Sequence, residues 1–317
     1  MKQFIIIICL TLIELNSSAQ SFNEKFGSLK KIEIDSGVML TIDEPAQLLA
    51  SNATKIIVFA LPNGNTTAQT FGKKLKEGDD WHFNIQHIGA QTAFIRHADP
   101  KTNYIVVYLE NTLKSWPAWR RKFADADERI AGFVELINQK YLRYAPKITI
   151  CGHSGGGSFI FGYLNSKTEI PPVIERIGFL DATYGYETEK HSERLSQWLK
   201  HANNSLQIIA YNDSVVVYNG KPLVSPTGGT WYRSKLMAKE LGFSFLLSHH
   251  ESANQLWWAD RRNQISIKLI KNPAGEIFHT VLVEKNGLID LMFRGTKFQD
   301  RNYVFWGDRA YENYILE

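Results

Sequence analysis

Residues 55–62, KIIVFALP, and residues 103–111, NYIVVYLEN, are apolar with almost no alternation. A strand with one wet face alternates apolar and polar side chains, so runs like these belong to strands covered on both faces. KITI (147–150), ERIGFL (175–180) and LQIIAY (206–211) continue the series, and QISIKLIKN (264–272) closes it. Helical patterns separate the strands. In residues 117–142, Phe123, Ile130, Phe133, Val134, Ile137 and Tyr141 recur at helical spacing behind Pro117, which predicts one amphipathic helix of about six turns. Residues 155–165, 228–242 and 279–293 read as further helical segments, and KKIEID with VMLTIDE as an antiparallel pair before the first buried strand. Buried strands alternating with helices predict the α/β class: a mainly parallel central sheet, helices on both faces, and antiparallel strands at the N-terminus.

The first residues stand apart from this pattern. MKQFIIIICLTLIELNSSAQ has Lys2, an apolar run from Phe4 to Ile13 and small residues at Ser17 and Ala19. It reads as an export signal peptide of residues 1–19, cleaved between Ala19 and Gln20. The apolar run is about half the roughly 20 residues a spanning helix needs, so no stable membrane anchor is expected and the mature protein is placed in the periplasm or outside the cell. Cys9 lacks the small residues that precede a lipidated cysteine. Cleavage leaves Cys151 as the sole cysteine, so stability must come from a core. Residues 20–317 are read as one domain, with an insertion over the site expected at about 214–264, where Trp231, Trp257 and Trp258 occur.

In CGHSGGGSFIFG (151–162), Gly152, Ser154 and Gly156 form a Gly-x-Ser-x-Gly pattern between an apolar strand and a helix. Glycines there permit a sharp turn and close packing that would clash with a side chain. A serine hydroxyl is a weak nucleophile, so its use needs a base, a group to orient the base, and donors for an oxyanion. Gly157 fits close helix packing, and His153, beside the serine, is expected to pack or to face substrate.

In this element order and at this turn, the chain resembles the α/β-hydrolase superfamily of serine esterases and lipases. The resemblance implies Ser154 as nucleophile, followed along the chain by an acid and a histidine. It leaves two acids open: Asp213 in IIAYNDSVV, after the second strand beyond the serine, and Asp181 in IGFLDATYG, after the first. For the base it implies His279 in GEIFHTVLV, with His249 and His250 as alternatives if FSFLL were the last core strand. The implied oxyanion donors are the N–H of Gly155 and, from the loop after KIIVFALP, that of Asn65 beside Gly64. The expected activity is hydrolysis of a carboxylic ester, of a small molecule, saccharide or lipid, through an acyl-enzyme. A peptidase or amidase, or an inactive binding protein on the same scaffold, are the alternatives.

No cofactor is expected. The glycine cluster lacks the Lys-Ser/Thr ending of a phosphate-binding loop, and the histidines lack zinc spacing. The net charge of +4 is too mild, and the lysines too scattered, to argue for nucleic acid.

Overall fold

A computed structural model describes residues 21–317; the leader reading of residues 1–19 lies outside them. The strands are β1 (Lys30–Asp35), β2 (Val38–Asp43), β3 (Ala53–Ala60), β4 (Thr102–Asn111), β5 (Lys147–His153), β6 (Ile174–Leu180), β7 (Ser205–Tyr211), β8 (Val217–Tyr218), β9 (Lys221–Pro222), β10 (Ser248–Glu251), β11 (Gln255–Ala259) and β12 (Ile265–Ile270). Ten of them form one sheet in the order β1-β2-β4-β3-β5-β6-β7-β12-β11-β10, and β8 and β9 pair as a separate small hairpin. The pairs from β4 through β12 are parallel, while β1-β2-β4 at one edge and β12-β11-β10 at the other are antiparallel.

The helices are α1 (Phe22–Gly27), α2 (Thr67–Phe71), α3 (Ile88–Ala98), α4 (Trp116–Lys122), α5 (Ala126–Lys140), α6 (Gly156–Asn165), α7 (Thr188–Leu199), α8 (Thr230–Gly242), α9 (Val281–Glu284) and α10 (Gly287–Phe293). Each central strand feeds two cores. In β3, Ile56, Val58 and Ala60 join the core under α4 to α8, whereas Ile57 and Phe59 join the core under α1, α2, α3, α9 and α10. This two-sided burial is why the strands read as unbroken apolar runs.

The segment 117–142 departs from the expected single helix. Phe123 adopts extended backbone (φ −120°, ψ 128°) and separates α4 from α5. The break lets Arg120 reach forward to Asp127, with Nε at 2.6 Å and Nη2 at 2.8 Å from the two carboxylate oxygens. The predicted helical tail is likewise two short helices, α9 and α10, followed by irregular chain. Within 214–264, α8 contributes Met237, Ala238 and Leu241 to a core, and β10 and β11 extend the sheet. Among the described residues, no helix is long and apolar enough to cross a membrane.

Candidate active site

β5 ends at His153, and α6 begins at Gly156, so the chain reverses within the two residues between. Ser154 is held at φ +54°, a left-handed conformation rare for a side-chain-bearing residue. Its N–H donates to the Leu180 carbonyl at the end of β6 (3.2 Å), and its carbonyl accepts from Gly157 N–H (3.0 Å). Close approach on both sides requires glycine: a Cβ on Gly156 would lie 2.3 Å from the Ala60 carbonyl oxygen, and one on Gly157 1.8 Å from that of Ala182. The start of α6 is thereby wedged between the carboxyl ends of β3 and β6, where an open parallel sheet places its reactive groups.

The next strand end supplies a carboxylate in the same way. Asp181 follows β6, is fully buried and sits at φ +47°, with its N–H on the Ile209 carbonyl of β7 (2.7 Å). Its Oδ2 meets Nδ1 of His279, which lies in the loop after β12, and its Oδ1 accepts from the Thr230 hydroxyl. An ionised carboxylate can only accept, so this pairing puts the imidazole proton on Nδ1 and leaves Nε2 as the basic atom.

Asp213, the other carboxylate considered, faces elsewhere. Its oxygens take the N–H groups that open α8, those of Thr230 (2.7 Å) and Trp231 (3.3 Å), and Thr230 Oγ1 is 3.3 Å away. A carboxylate at a helix N-terminus satisfies donors that have no partner within the helix. The two buried acids thus meet at Thr230, one on its hydroxyl and the other on its N–H. Burial, and then the neighbouring Asp181 charge, push Asp213 from the ordinary 3.8 up to about 6.

This gives a sign for pH. Below about pH 4 Asp213 is protonated in both folded and unfolded chains, and above about pH 6 it is ionised in both, at a cost to the fold of up to about 3 kcal/mol. Asp213→Asn retains a capping oxygen without the titration. Its stability relative to the wild type is therefore expected to improve as pH rises from 4 to 7, followed by urea unfolding. Parallel pH curves for the two proteins would remove the assignment.

His153 is packed rather than substrate-facing. It is 1% exposed, its Nε2–H donates to the backbone carbonyl of His279 (3.0 Å), and the two rings lie 4.6 Å apart. Burial, reinforced by His279, holds its pKa well below the usual histidine range. The elbow is in this way tied to the loop carrying His279. His249 and His250 lie on β10, the exposed edge strand, and pair with Trp258 and Trp257.

A cavity of about 450 Å³ opens over Ser154 and Gly155. Pro117, Arg120 and Ser158 form one wall, and Ala182, Tyr184 and Gly185 another. Asn63, from the loop after β3, also borders it; its amide lies so close to Gly155 that a Cβ there would be 2.0 Å from Asn63 Oδ1. Asn65 is 7% exposed, is not among the lining residues, and has an unpartnered Nδ2. Arg120 donates from Nη1 to the Ser158 hydroxyl (3.2 Å). Sequence pattern assigns no role to Asn63, Arg120, Tyr184 or Thr230, although Asn63 lies in the expected oxyanion loop, three residues beyond the end of β3. Cys151 lies under the elbow, fully buried, with its thiol pKa raised by burial. Among the described residues, no group of three or more His, Cys, Asp or Glu is arranged to hold a metal ion.

No family model matches the chain, and no curated protein matches it. Solved structures do. A thermostable esterase aligns with a TM-score of 0.52 at 11% identity over 85% of this chain, which spans 64% of that protein. Butyrate-bound esterase Est2 of Thermogutta terrifontis (TM-score 0.43, 12% identity, 82% of this chain and 88% of that one) and an acetyl xylan esterase of Aspergillus awamori (0.42, 12%, 77% and 92%) also align. With the sheet order, the crossovers and the strand-to-helix turn at Ser154, the likeness to the thermostable esterase, at 11% identity, establishes the architecture alone: the chain has the α/β-hydrolase fold.

Proposed function

We propose that the protein is a serine hydrolase of carboxylic esters, with Ser154, His279 and Asp181 as its triad. The observation that carries this reading is the Asp181–His279 contact at the carboxyl end of the sheet, alongside a serine held in a strained strand-to-helix turn. Ser154 Oγ attacks the ester carbonyl as its proton passes to Nε2 of His279. Asp181 stabilises the resulting imidazolium without taking its proton. Collapse of the tetrahedral intermediate expels the alcohol, which receives that proton, and leaves an acyl-serine. Water then adds to the acyl group, with His279 again taking and returning a proton, and releases the acid and free Ser154.

The oxyanion is assigned to the N–H of Gly155 and to the loop after β3. Within that loop Asn63, lying against Gly155, is better placed than Asn65. Asn63→Ala is expected to lower kcat on p-nitrophenyl acetate by about 10²-fold, the usual effect of losing one such donor, with Asn65→Ala changing it much less. Equal kcat in Asn63→Ala and wild type would return the role to Asn65 or to a backbone donor. The serine assignment itself is tested by a fluorophosphonate probe, which should label Ser154 and leave a Ser154→Ala variant unlabelled.

Residues 1–19 are assigned as an export leader on their charge, apolar run and small residues. N-terminal sequencing of the exported protein should begin at Gln20; a product starting at Met1 would reject this.

A further inference from the structure

Beside the proposed active site, the same end of the sheet carries a second concavity of about 610 Å³. It lies between the first turn of α8 and the β10–β11 edge, and Asn212, Asn272 and Pro273 at the ends of β7 and β12 close it. Its aromatic surface comes from Trp231 on α8 and from Trp258 on β11, both half-buried. The exposed His249 ring lies on Trp258, with centroids 4.7 Å apart and planes 18° apart, and so presents a flat outer plate on the edge strand.

The polar groups of the cleft are of both kinds. Lys235 lies over the Trp231 ring (5.4 Å), and no carboxylate pairs with it among the described residues. Lys271 is held by Glu251 at 2.6 Å, which cancels that charge and leaves carboxylate lone pairs at the rim. Among the described residues no acceptor pairs with the Asn212 amide N–H groups beside them; its Oδ1 takes the Ser214 hydroxyl and its backbone carbonyl accepts from Asn272 Nδ2. Flat apolar surface ringed by unspent donors and acceptors, with little net charge, matches a ligand whose C–H faces are apolar and whose edges are hydroxyls. An acyl chain would leave the Lys235 ammonium and the Asn212 amide desolvated without partners, at a cost.

Hydrogen bonds tie the walls of the cleft to the proposed catalytic groups. Trp231 N–H bonds Asp213, and Asn272 holds the start of the His279 loop by accepting from Glu276 N–H (3.0 Å) and donating to the Glu276 carbonyl (2.7 Å). From the end of β5, beside Ser154, to β11, which carries Trp258, is four strand intervals, or about 19 Å at about 4.8 Å each. A chain of a few sugar rings covers that span.

We infer that this cleft binds the saccharide part of an esterified oligosaccharide, with sugar rings against Trp231 and the His249–Trp258 stack. The inference rests on the esterase reading for the ester, but its test does not. Cellotetraose, xylotetraose and chitotetraose would be titrated into full-length Ser154→Ala protein, followed by tryptophan fluorescence and calorimetry, with decanoate as the acyl-chain control. At least one tetrasaccharide should bind. Affinity should fall about tenfold or more in His249→Ala, whose side chain is exposed and whose loss leaves the core intact, and in Trp258→Ala. Binding of decanoate but of no tetrasaccharide would overturn the proposal, as would no binding at all, or tetrasaccharide binding that both substitutions leave unchanged. In proteins with Ser154 present, the same two substitutions should raise KM for an acetylated tetrasaccharide by about tenfold more than they raise KM for p-nitrophenyl acetate. Loss of turnover on both substrates with saccharide binding retained would count against the esterase reading and not against the cleft.

Discussion

Ser154→Ala is expected to lower p-nitrophenyl acetate turnover by about 10⁴-fold or more, since loss of the nucleophile removes the covalent route and not merely one contact. The fold should survive. Ser154 is only partly buried, its backbone bonds to Leu180 and Gly157 do not involve the hydroxyl, and alanine at φ +54° carries much the same strain as serine. An unchanged melting temperature with activity near the uncatalysed rate is the expected pair of results. Retained turnover would assign the chemistry to another group, with Ser158 in the same cavity the next to be changed.

The second large effect separates the two acids. Asp181→Asn should lower kcat by about 10⁴-fold, because a neutral amide neither stabilises an imidazolium nor fixes the proton on Nδ1 of His279. Asparagine also tolerates the left-handed backbone at 181, so the loss is not a folding artefact. Asp213→Asn, which leaves the His279 partner in place, should cost less than tenfold in kcat. Measured side by side on one ester, the reverse ranking would move the triad acid to Asp213.

The parts of the proposed site that could be read from sequence are those fixed locally. Ser154 stands out because glycine spacing at a strand-to-helix reversal is a property of a few consecutive residues. His279 follows from its place after the last apolar strand. The choice between Asp181 and Asp213 could not be read that way, because each ends an apolar strand and each is fully buried. What separates them is where α8 begins. Its first N–H groups occupy Asp213 and leave Asp181 to the imidazole, a tertiary arrangement with no local signature. The same holds for the Asn63 amide over Gly155, which depends on β3 and β5 lying side by side.

The strands were legible for the opposite reason. Burial on two faces erases alternation over a whole run, and that is visible without any partner. The helices were less so. The break at Phe123 is hidden inside an uninterrupted amphipathic pattern, and its benefit, the Arg120–Asp127 pair, appears only once both helices lie against α6. Helix α7 escapes notice because only His191, Leu195, Ser196, Trp198 and Leu199 of its 12 residues are buried.

Among the described residues, the antiparallel pairs β1-β2, β10-β11 and β11-β12 at the two edges of the sheet join strands by a tight connection; β2-β4 and every parallel neighbour pair need a crossover or a still longer excursion. Closing such loops before their contacts form makes folding slow and concerted. Ser154, Asp181 and His279 follow three different strands, β5, β6 and β12, so no early hairpin assembles them and the parallel run from β5 to β12 must be in place. Recovery of ester turnover during refolding would therefore report completion of the parallel centre, while early strand content would reflect the margins of the sheet.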